Sequence, residues 1–223
     1  MQRTSQSFCL LLFFPLLACA QSLIPAAGSP AVLTFTLDFP ASQPEHYSIR
    51  VQSDSVGHYQ STSRVSPDSD DKDSFDLDFT LAASTRLKIF NLAAKAGYFQ
   101  KGLDSPHKGL AFTGKKTLAY KDAQRSGEST YNYSSNSAAQ ELTTLLQSLA
   151  ATLDFGRRLQ FDHHYQKLAL DEELKRMEEM SSDHELIEVT AIHPILDQII
   201  ADSSVMNVTR ARAQRLLQGV SAH

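Results

Sequence analysis

The 223-residue chain contains no tryptophan and only two cysteines. Both cysteines, Cys9 and Cys19, lie within the first twenty residues, so cleavage of an N-terminal leader leaves a chain that cannot form an internal disulfide. This excludes a disulfide scaffold, a cysteine nucleophile and a thiolate metal site from the remaining chain. With 9 glycines, 8 prolines and 42% hydrophobic residues, the composition also excludes a collagen and a wholly disordered protein.

The N-terminus (residues 1–20) has the three parts of a signal peptide. Arg3 is its only charged side chain, an apolar run extends from Phe8 to Leu17, and Ala18 and Ala20 supply small residues near its end. The run of about ten to twelve apolar residues is too short to cross a bilayer as a helix, which needs about twenty. We therefore expect an exported protein with no transmembrane span after cleavage.

Two processing sites remain open. Cleavage after Ala20 releases a soluble protein that begins at Gln21. The segment Leu16–Cys19 also resembles a bacterial lipobox, in which Cys19 would be lipidated, although Leu17 is bulkier than the residue usual at that position. The expected location is periplasmic or extracellular, with lipoprotein anchoring through Cys19 as the alternative.

The sign of the charge changes along the chain, whose net charge is −4. Six aspartates and one lysine occupy positions 66–80, whereas nine cations and two acids occupy positions 86–125. The overall negative charge does not favour nucleic acid as a partner. Within the basic segment, Lys115, Lys116 and Lys121 are candidates for contact with an anionic partner, such as lipid headgroups, a polysaccharide or an acidic envelope protein.

Hydrophobic residues that alternate with polar ones predict β-strands in the first half of the chain. A change to helical periodicity predicts one helix over 82–99, with Ser84 as its N-cap. A hairpin is expected next, around the polar turn between residues 121 and 128. The predicted strands are 33–39, 47–51, 58–63, 75–79, 115–120 and 129–134.

Beyond Asn136 the pattern is helical to the end of the chain. Leucines recur at helical spacing after Ser137, which forms a capping-box pattern with Gln140. Asp171 is a candidate cap for a second helix, and Ser182 with Glu185 repeats the capping box. Pro194 is expected to start or kink a helix, and a last helix is predicted over 205–218.

Because the helices follow the strands instead of alternating with them, the sequence predicts an α+β fold with a mainly antiparallel sheet. A four-strand meander, one helix and a hairpin would be followed by four or five helices. We expect a flexible tether at 21–31, the sheet with one helix at 32–135, and a helical region at 136–223. That region would pack on the sheet or form a subdomain.

Asp162, His163 and His164 are the strongest candidates for catalysis, since a carboxylate and two imidazoles are the ingredients of a metal phosphoesterase. Consecutive helical positions point about 100° apart, so the two histidines are poorly placed to share one metal. His184 and Glu188, with His193 nearby, form a looser cluster whose simpler interpretation is a surface pair. A concave pocket holding two or more of Asp162, His163, His164, His184 and Glu188 would favour an enzyme, and dispersal over a convex surface would exclude one.

Two further segments approach known motifs without matching them. The segment 109–117 resembles a phosphate-binding loop, but Lys116 stands where the magnesium-binding hydroxyl belongs, so we expect a turn at Gly114. The acidic segment 68–73 lacks the glycine and terminal glutamate of a calcium-binding loop. No cofactor, metal site or catalytic residue is therefore assigned.

The leader, with the segments FTLDFP, TGKKTLAY and STYNYS, resembles a group of uncharacterised exported bacterial proteins over most of the mature chain. The resemblance implies no activity, site or cofactor. We expect an exported envelope protein that acts by binding, without catalysis, through the sheet or the basic segment. An exported hydrolase that uses the Asp162, His163 and His164 region, with or without a metal, is the alternative.

Overall fold

The computed structural model of the protein describes residues 29–64, 71–105 and 109–220. The predicted signal peptide with Cys9 and Cys19, most of the predicted tether, and part of the acidic segment lie outside the described residues.

The strands form one antiparallel sheet, and the predicted α+β class is confirmed. The predicted meander is joined to the hairpin by pairing of the fifth strand with the first, so the hairpin extends the sheet at the meander's free edge. The second hairpin strand begins three residues earlier than predicted. The strands are β1 (Val32–Asp38), β2 (His46–Gln52), β3 (Val56–Arg64), β4 (Lys72–Thr80), β5 (Lys115–Lys121) and β6 (Ser126–Tyr131), in the spatial order β4-β3-β2-β1-β5-β6.

The alternation in the sequence becomes the two faces of the sheet. Leu33 and Phe35 of β1 and Ile49 of β2 are fully buried on the face that the helices cover. Thr34 and its β2 partner Arg50 lie on the opposite face, where side chains are half-buried or exposed. Period-two alternation therefore predicted correctly which strand residues enter the core.

Five α-helices complete the described fold, four of them after the hairpin. Short 3-10 segments lie at Gly97–Phe99 and Val189–Ile192. The α-helices are α1 (Ala83–Lys95), α2 (Ser137–Tyr165), α3 (Leu170–Ser182), α4 (His193–Ala201) and α5 (Asn207–Val220).

Several predicted helix caps are wrong. No side chain caps α1, so Ser84 does not have the predicted role. Asn136 caps α2 in place of Ser137, because its side-chain oxygen accepts a hydrogen bond from the Ala139 amide at 3.0 Å. Asp171 lies inside the first turn of α3, where its carboxylate binds Arg212 of α5 at 3.0 Å.

The second predicted capping box is also wrong. Ser182 ends α3, and its hydroxyl donates to the Glu178 carbonyl at 2.9 Å. The stretch from Asp183 to Glu188 is not helical. Pro194 lies in the first turn of α4, as expected of a proline that starts a helix.

The long helix α2 crosses the covered face of the sheet from β6 to β4. Its N-terminal part contacts β6, since the hydroxyls of Tyr131 and Thr143 are hydrogen-bonded. Its later part approaches the 3-10 segment closely at Gly156, where an added Cβ would lie 2.8 Å from Ile192. One hydrophobic core contains residues of the sheet and of all five helices. None of the described helices is long and apolar enough to cross a membrane.

Candidate functional site: three cavities along helix α2

One end of the covered sheet face is polar. The pairing register places residues of all six strands in one cross-strand row, and polar side chains stand at most of these positions although they face the core. The next row is apolar at four of its six positions and is fully buried from Leu118 to Tyr59; it runs through Ser129, Leu118, Phe35, Ile49, Tyr59 and Leu77. The polar row runs through Tyr131, Lys116, Leu37, Tyr47, Ser61 and Phe75.

Helix α2 follows this row with a stripe of mostly polar residues. Positions three or four apart lie on the same helical face, so the stripe faces one way over the length of the helix. Three cavities border it in chain order. The stripe consists of Gln140, Thr144, Gln147, Ala151, Asp154, Arg158, Phe161 and Tyr165.

The three cavities are named here by their lining. The hydroxyl cavity, of about 340 Å³, lies at the start of α2 beside Thr143 and Thr144. The tyrosine cavity, of about 240 Å³, lies under the middle of α2 against Tyr47 and Tyr59. The histidine cavity, of about 430 Å³, lies between the end of α2 and the start of β4, beside His164.

The histidine cavity combines exposed rings with polar side chains. Tyr165 is 69% exposed, and its ring centre lies 5.1 Å from that of Phe161 and 4.3 Å from that of His164. Arg157 also lines the cavity, and Asp154 binds its Nε at 2.8 Å. This bond fixes the guanidinium in place. Gln160 completes the set with an amide that both donates and accepts hydrogen bonds.

His163 lines the same cavity and is tied to the loop after α4. Its Nε2 lies 2.9 Å from the Asp202 carboxylate, which also accepts a hydrogen bond from Lys167 at 2.7 Å. Hydrogen bonds from Lys167, then from Ser204 and from His163, hold the pKa of Asp202 well below its usual range. This cluster joins the end of α2 to the α4–α5 connection.

Asp162 does not line the cavity. Burial, and secondly the negative charge of Glu173 on α3, raises its pKa. Asp162 is thus separated from His163 and His164, which line one cavity. Within the described residues, no group of three His, Cys, Asp or Glu side chains could hold a metal ion. The cavity nevertheless contains both His163 and His164, which meets the criterion that favours an enzyme.

The tyrosine cavity contains a buried carboxylate and a buried hydroxyl. Asp154 is 7% exposed and forms ion pairs with Arg157 at 2.8 Å and with Arg158 at 3.2 Å. Burial, followed by the charge of Asp154, raises the pKa of Tyr59. The hydroxyls of Tyr59 and of its neighbour Ser61 are both buried and form no hydrogen bond of normal geometry in the described part of the chain, although Ser61 is close enough to Tyr59 to lower its pKa slightly against these two causes.

The hydroxyl cavity contains Lys116. Its Nζ donates to oxygens of Thr113, Gly114 and Asn132, with distances between 2.9 and 3.3 Å. None of its partners within the described residues is a carboxylate, and burial lowers its pKa. The predicted turn at Gly114 is present, with a φ of +100° that favours glycine.

The three lysines of the basic segment do not share one face. Lys116 points into the protein and is 6% exposed, whereas Lys115 and Lys121 lie on the exposed side of β5. Lys115 approaches Asp38 within 4.0 Å. An anionic partner on the exposed side of the sheet would therefore meet Lys115 and Lys121 alone of this set.

The looser cluster around His184 is not brought together as an i,i+4 pair. His184 and Glu188 belong to the non-helical stretch after α3. The Glu188 carboxylate accepts a hydrogen bond from the Ala82 amide at 3.1 Å, next to the start of α1. His193 instead faces Asp197 one turn along α4, at 3.5 Å.

Sequence reasoning missed the residues of the tyrosine cavity. Tyr47 occupies a core-facing position of one predicted strand and Tyr59 lies inside another, and the sequence predicts no further role for either. Gln147 and Arg157 lie among the leucines of α2, whose regular spacing predicted the helix. The available signal was the polar stripe of α2, which repeats every three or four residues on a largely buried helix.

No protein-family model matches this chain, and no curated protein matches it either.

Proposed function

We propose that this is an exported binding protein whose ligand is a saccharide, held in the histidine cavity at the end of α2. The observation that carries the proposal is the histidine cavity, where Phe161 and Tyr165 stand beside Arg157 and Gln160. Tyr165 and Phe161 are 69% and 46% exposed, although burial of such rings is favourable. Rings left exposed at the wall of a cavity are suited to cover a ligand.

The chemistry of the lining fits a molecule that is apolar on its ring faces and polar at its edges. Aromatic rings supply contact area for C–H faces at a small cost in conformational entropy. Guanidinium and amide groups bind vicinal hydroxyls or a carboxylate through paired hydrogen bonds. Arg157 is already oriented by Asp154, so it loses little freedom on binding.

Binding is tested by isothermal titration of the mature protein with monosaccharides, including galacturonate and glucose. We expect Tyr165→Ala and His164→Gln each to weaken binding about tenfold, because both side chains are exposed and their loss removes ligand contact. Arg157→Gln should weaken binding as well, and Arg50→Gln, on the opposite side of the sheet, is its matched control. No heat of binding with any saccharide, or equal loss in the control, would contradict the proposal.

Export is tested separately by mass spectrometry of the mature N-terminus. The leader supports cleavage after Ala20, which gives a chain that begins at Gln21. Lipidation at Cys19 would give a heavier, acylated chain that includes Cys19 and Ala20. Retention of the full leader would overturn the proposed export, whichever ligand binds.

Hydrolysis is the second candidate, because His163 and His164 both line the histidine cavity. His163 contacts Asp202 at 2.9 Å, an arrangement that orients an imidazole for proton transfer. In such a reaction a histidine would take a proton from water, and the hydroxide would replace the leaving group. Turnover of an ester or glycoside substrate that is lost in both His163→Ala and His164→Ala would favour this function over binding alone.

A further inference from the structure

We propose that the three cavities along α2 are subsites of one groove that binds a linear saccharide chain of several residues. This inference rests on the proposed function and extends it from a single sugar to a polymer. The groove is bordered on one side by the polar stripe of α2 and on the other by the polar row of the sheet.

The order of the cavities along α2 is the first argument. Gln140 and Thr144 border the hydroxyl cavity, Gln147 borders the tyrosine cavity, and Tyr165 borders the histidine cavity. Neighbouring cavities are one helical turn or less apart, because Gln147 follows Thr144 by three residues and Arg157 and Arg158 belong to different cavities. From Gln140 to Tyr165 the helix advances about 38 Å, at about 1.5 Å per residue.

The buried hydroxyl of Tyr59 is the second argument. Tyr59 is fully buried by the protein and lines the tyrosine cavity, and apart from its neighbour Ser61, with which it forms no hydrogen bond of normal geometry, its hydroxyl has no partner among the described residues. Leaving such a group unsatisfied costs about 1–3 kcal/mol, and buried polar groups nearly always have a partner. Because that hydroxyl is itself buried in the ligand-free protein, a ligand hydroxyl in the tyrosine cavity would become its partner only after the side chains that cover it move aside.

The character of the lining favours a saccharide over an extended peptide. Peptides in extended form pair with a free strand edge or insert alternate side chains into apolar pockets. The free edges of the described sheet are β4 and β6, whereas the groove crosses the strands along α2. Its walls carry hydroxyl, amide and guanidinium groups between aromatic rings, which suits a chain with hydroxyls at every unit.

The test is a length series of two probes, cello-oligosaccharides and oligogalacturonates, from one to eight residues, titrated into the mature protein. We expect at least one series to show affinity that rises tenfold or more between the monosaccharide and the octamer. Thr144→Ala and Gln147→Ala should weaken binding of the octamer threefold or more and leave monosaccharide binding unchanged. Both side chains are exposed or half-buried, so these variants should fold, and Thr34→Ala on the opposite face is the control.

The outcomes separate this inference from the proposed function. Monosaccharide binding without a gain in affinity for longer chains overturns the groove and leaves the single-site function standing. An unchanged octamer affinity in both variants also overturns it. Absence of binding to every saccharide overturns both proposals, and binding of an extended threonine-rich peptide as tightly as the octamer overturns the choice of a saccharide.

Discussion

At the scale of single residues, the two tyrosines Tyr59 and Tyr131 offer a matched comparison. Both are buried, but the Tyr131 hydroxyl is bonded to Thr143 whereas the Tyr59 hydroxyl has no partner in the described chain. We expect Tyr131→Phe to lower the free energy of unfolding by about 1 kcal/mol. Tyr59→Phe should leave it unchanged or raise it, because the variant removes an unsatisfied group.

Urea unfolding of the two variants and the wild type measures this difference. A loss of stability in Tyr59→Phe equal to that in Tyr131→Phe would mean that the Tyr59 hydroxyl has a partner in the ligand-free protein. In that case the hydroxyl would give no reason to place a ligand in the tyrosine cavity.

Lys116 is expected to make the stability of the protein depend on pH in the alkaline range. Burial lowers its pKa below the usual 10.5, so the folded chain releases this proton before the unfolded chain does. Between the lowered pKa of the folded chain and 10.5, the unfolded state binds more protons than the folded state, and stability therefore rises with pH in this window. The charged ammonium costs stability below the window, and the cost is relieved as pH increases towards 10.5.

The measurement is the free energy of unfolding of wild type and Lys116→Met between pH 7 and pH 10.5. The free energy of unfolding of the wild type should increase with pH relative to that of Lys116→Met. Lys115→Met, which removes an exposed lysine one position away, should show no such trend. A difference between wild type and Lys116→Met that is constant with pH would contradict the assigned burial.

The sequence predicted the positions of these residues better than their roles. Alternation correctly predicted that Tyr47 faces the core, but a tyrosine on a core-facing position does not reveal whether its hydroxyl finds a partner. Lys116 occupies a core-facing position of β5, and its charge led to its being grouped with Lys115 and Lys121 on a surface. Its partners Thr113, Gly114 and Asn132 come together only when β5 pairs with β6.

At the scale of secondary-structure elements, the β5–β6 turn depends on Asp122. Its carboxylate accepts hydrogen bonds from the amides of Gln124 and Arg125 at 2.7 and 2.6 Å and from the Tyr120 hydroxyl at 2.9 Å. The Gln124 amide is the largest of the causes that lower the Asp122 pKa to about 2. The sequence predicts the hairpin, but it does not predict these hydrogen bonds, which close the turn.

We expect Asp122→Ala to lower the melting temperature of the protein at neutral pH. Because the folded pKa is depressed, the stabilisation from Asp122 is present above about pH 3.8 and is lost as pH falls towards 2. Thermal unfolding of wild type and variant between pH 2 and pH 7 should therefore show curves that converge on the acidic side. Asp183→Ala, at another exposed aspartate, is the control, and a gap independent of pH would contradict the role of Asp122.

Element boundaries illustrate why helix caps were harder to predict than helices. The leucine spacing extends over the whole of α2, so it predicted this helix correctly although the predicted cap was wrong. Ser137 and Asn136 are both good caps by residue type, and backbone geometry selected Asn136. For Ser182, the α3 pattern continues past the expected boundary, so the serine bonds back to Glu178 instead of starting a new helix.

At the scale of the whole molecule, the order of the strands could not be predicted from the sequence, because pairing of β5 with β1 joins residues 77 to 89 positions apart, such as Leu33 and Tyr120. The cavities depend on this pairing, since it aligns Lys116 and Tyr131 with Tyr47 in one row. Periodicity reveals which face a residue occupies, but it does not reveal its neighbours in the sheet. The site could therefore not be assembled from the sequence, although most of its strands could.

The single hydrophobic core that the sheet shares with all five helices leads to a prediction about cooperativity. Phe35 of β1 and Leu153 of α2 are fully buried in the same core. We expect far-ultraviolet circular dichroism, which follows the helices, and near-ultraviolet tyrosine signals, which follow the tyrosine-rich sheet, to report one coincident unfolding transition. Leu153→Ala should shift both signals together and lower stability by about 2–5 kcal/mol.

An exposed leucine variant, Leu168→Ala, should shift neither signal. Two separate transitions, with only the helical signal moved by Leu153→Ala, would instead indicate a helical subdomain that unfolds alone, and the groove between α2 and the sheet would then open before the sheet is lost.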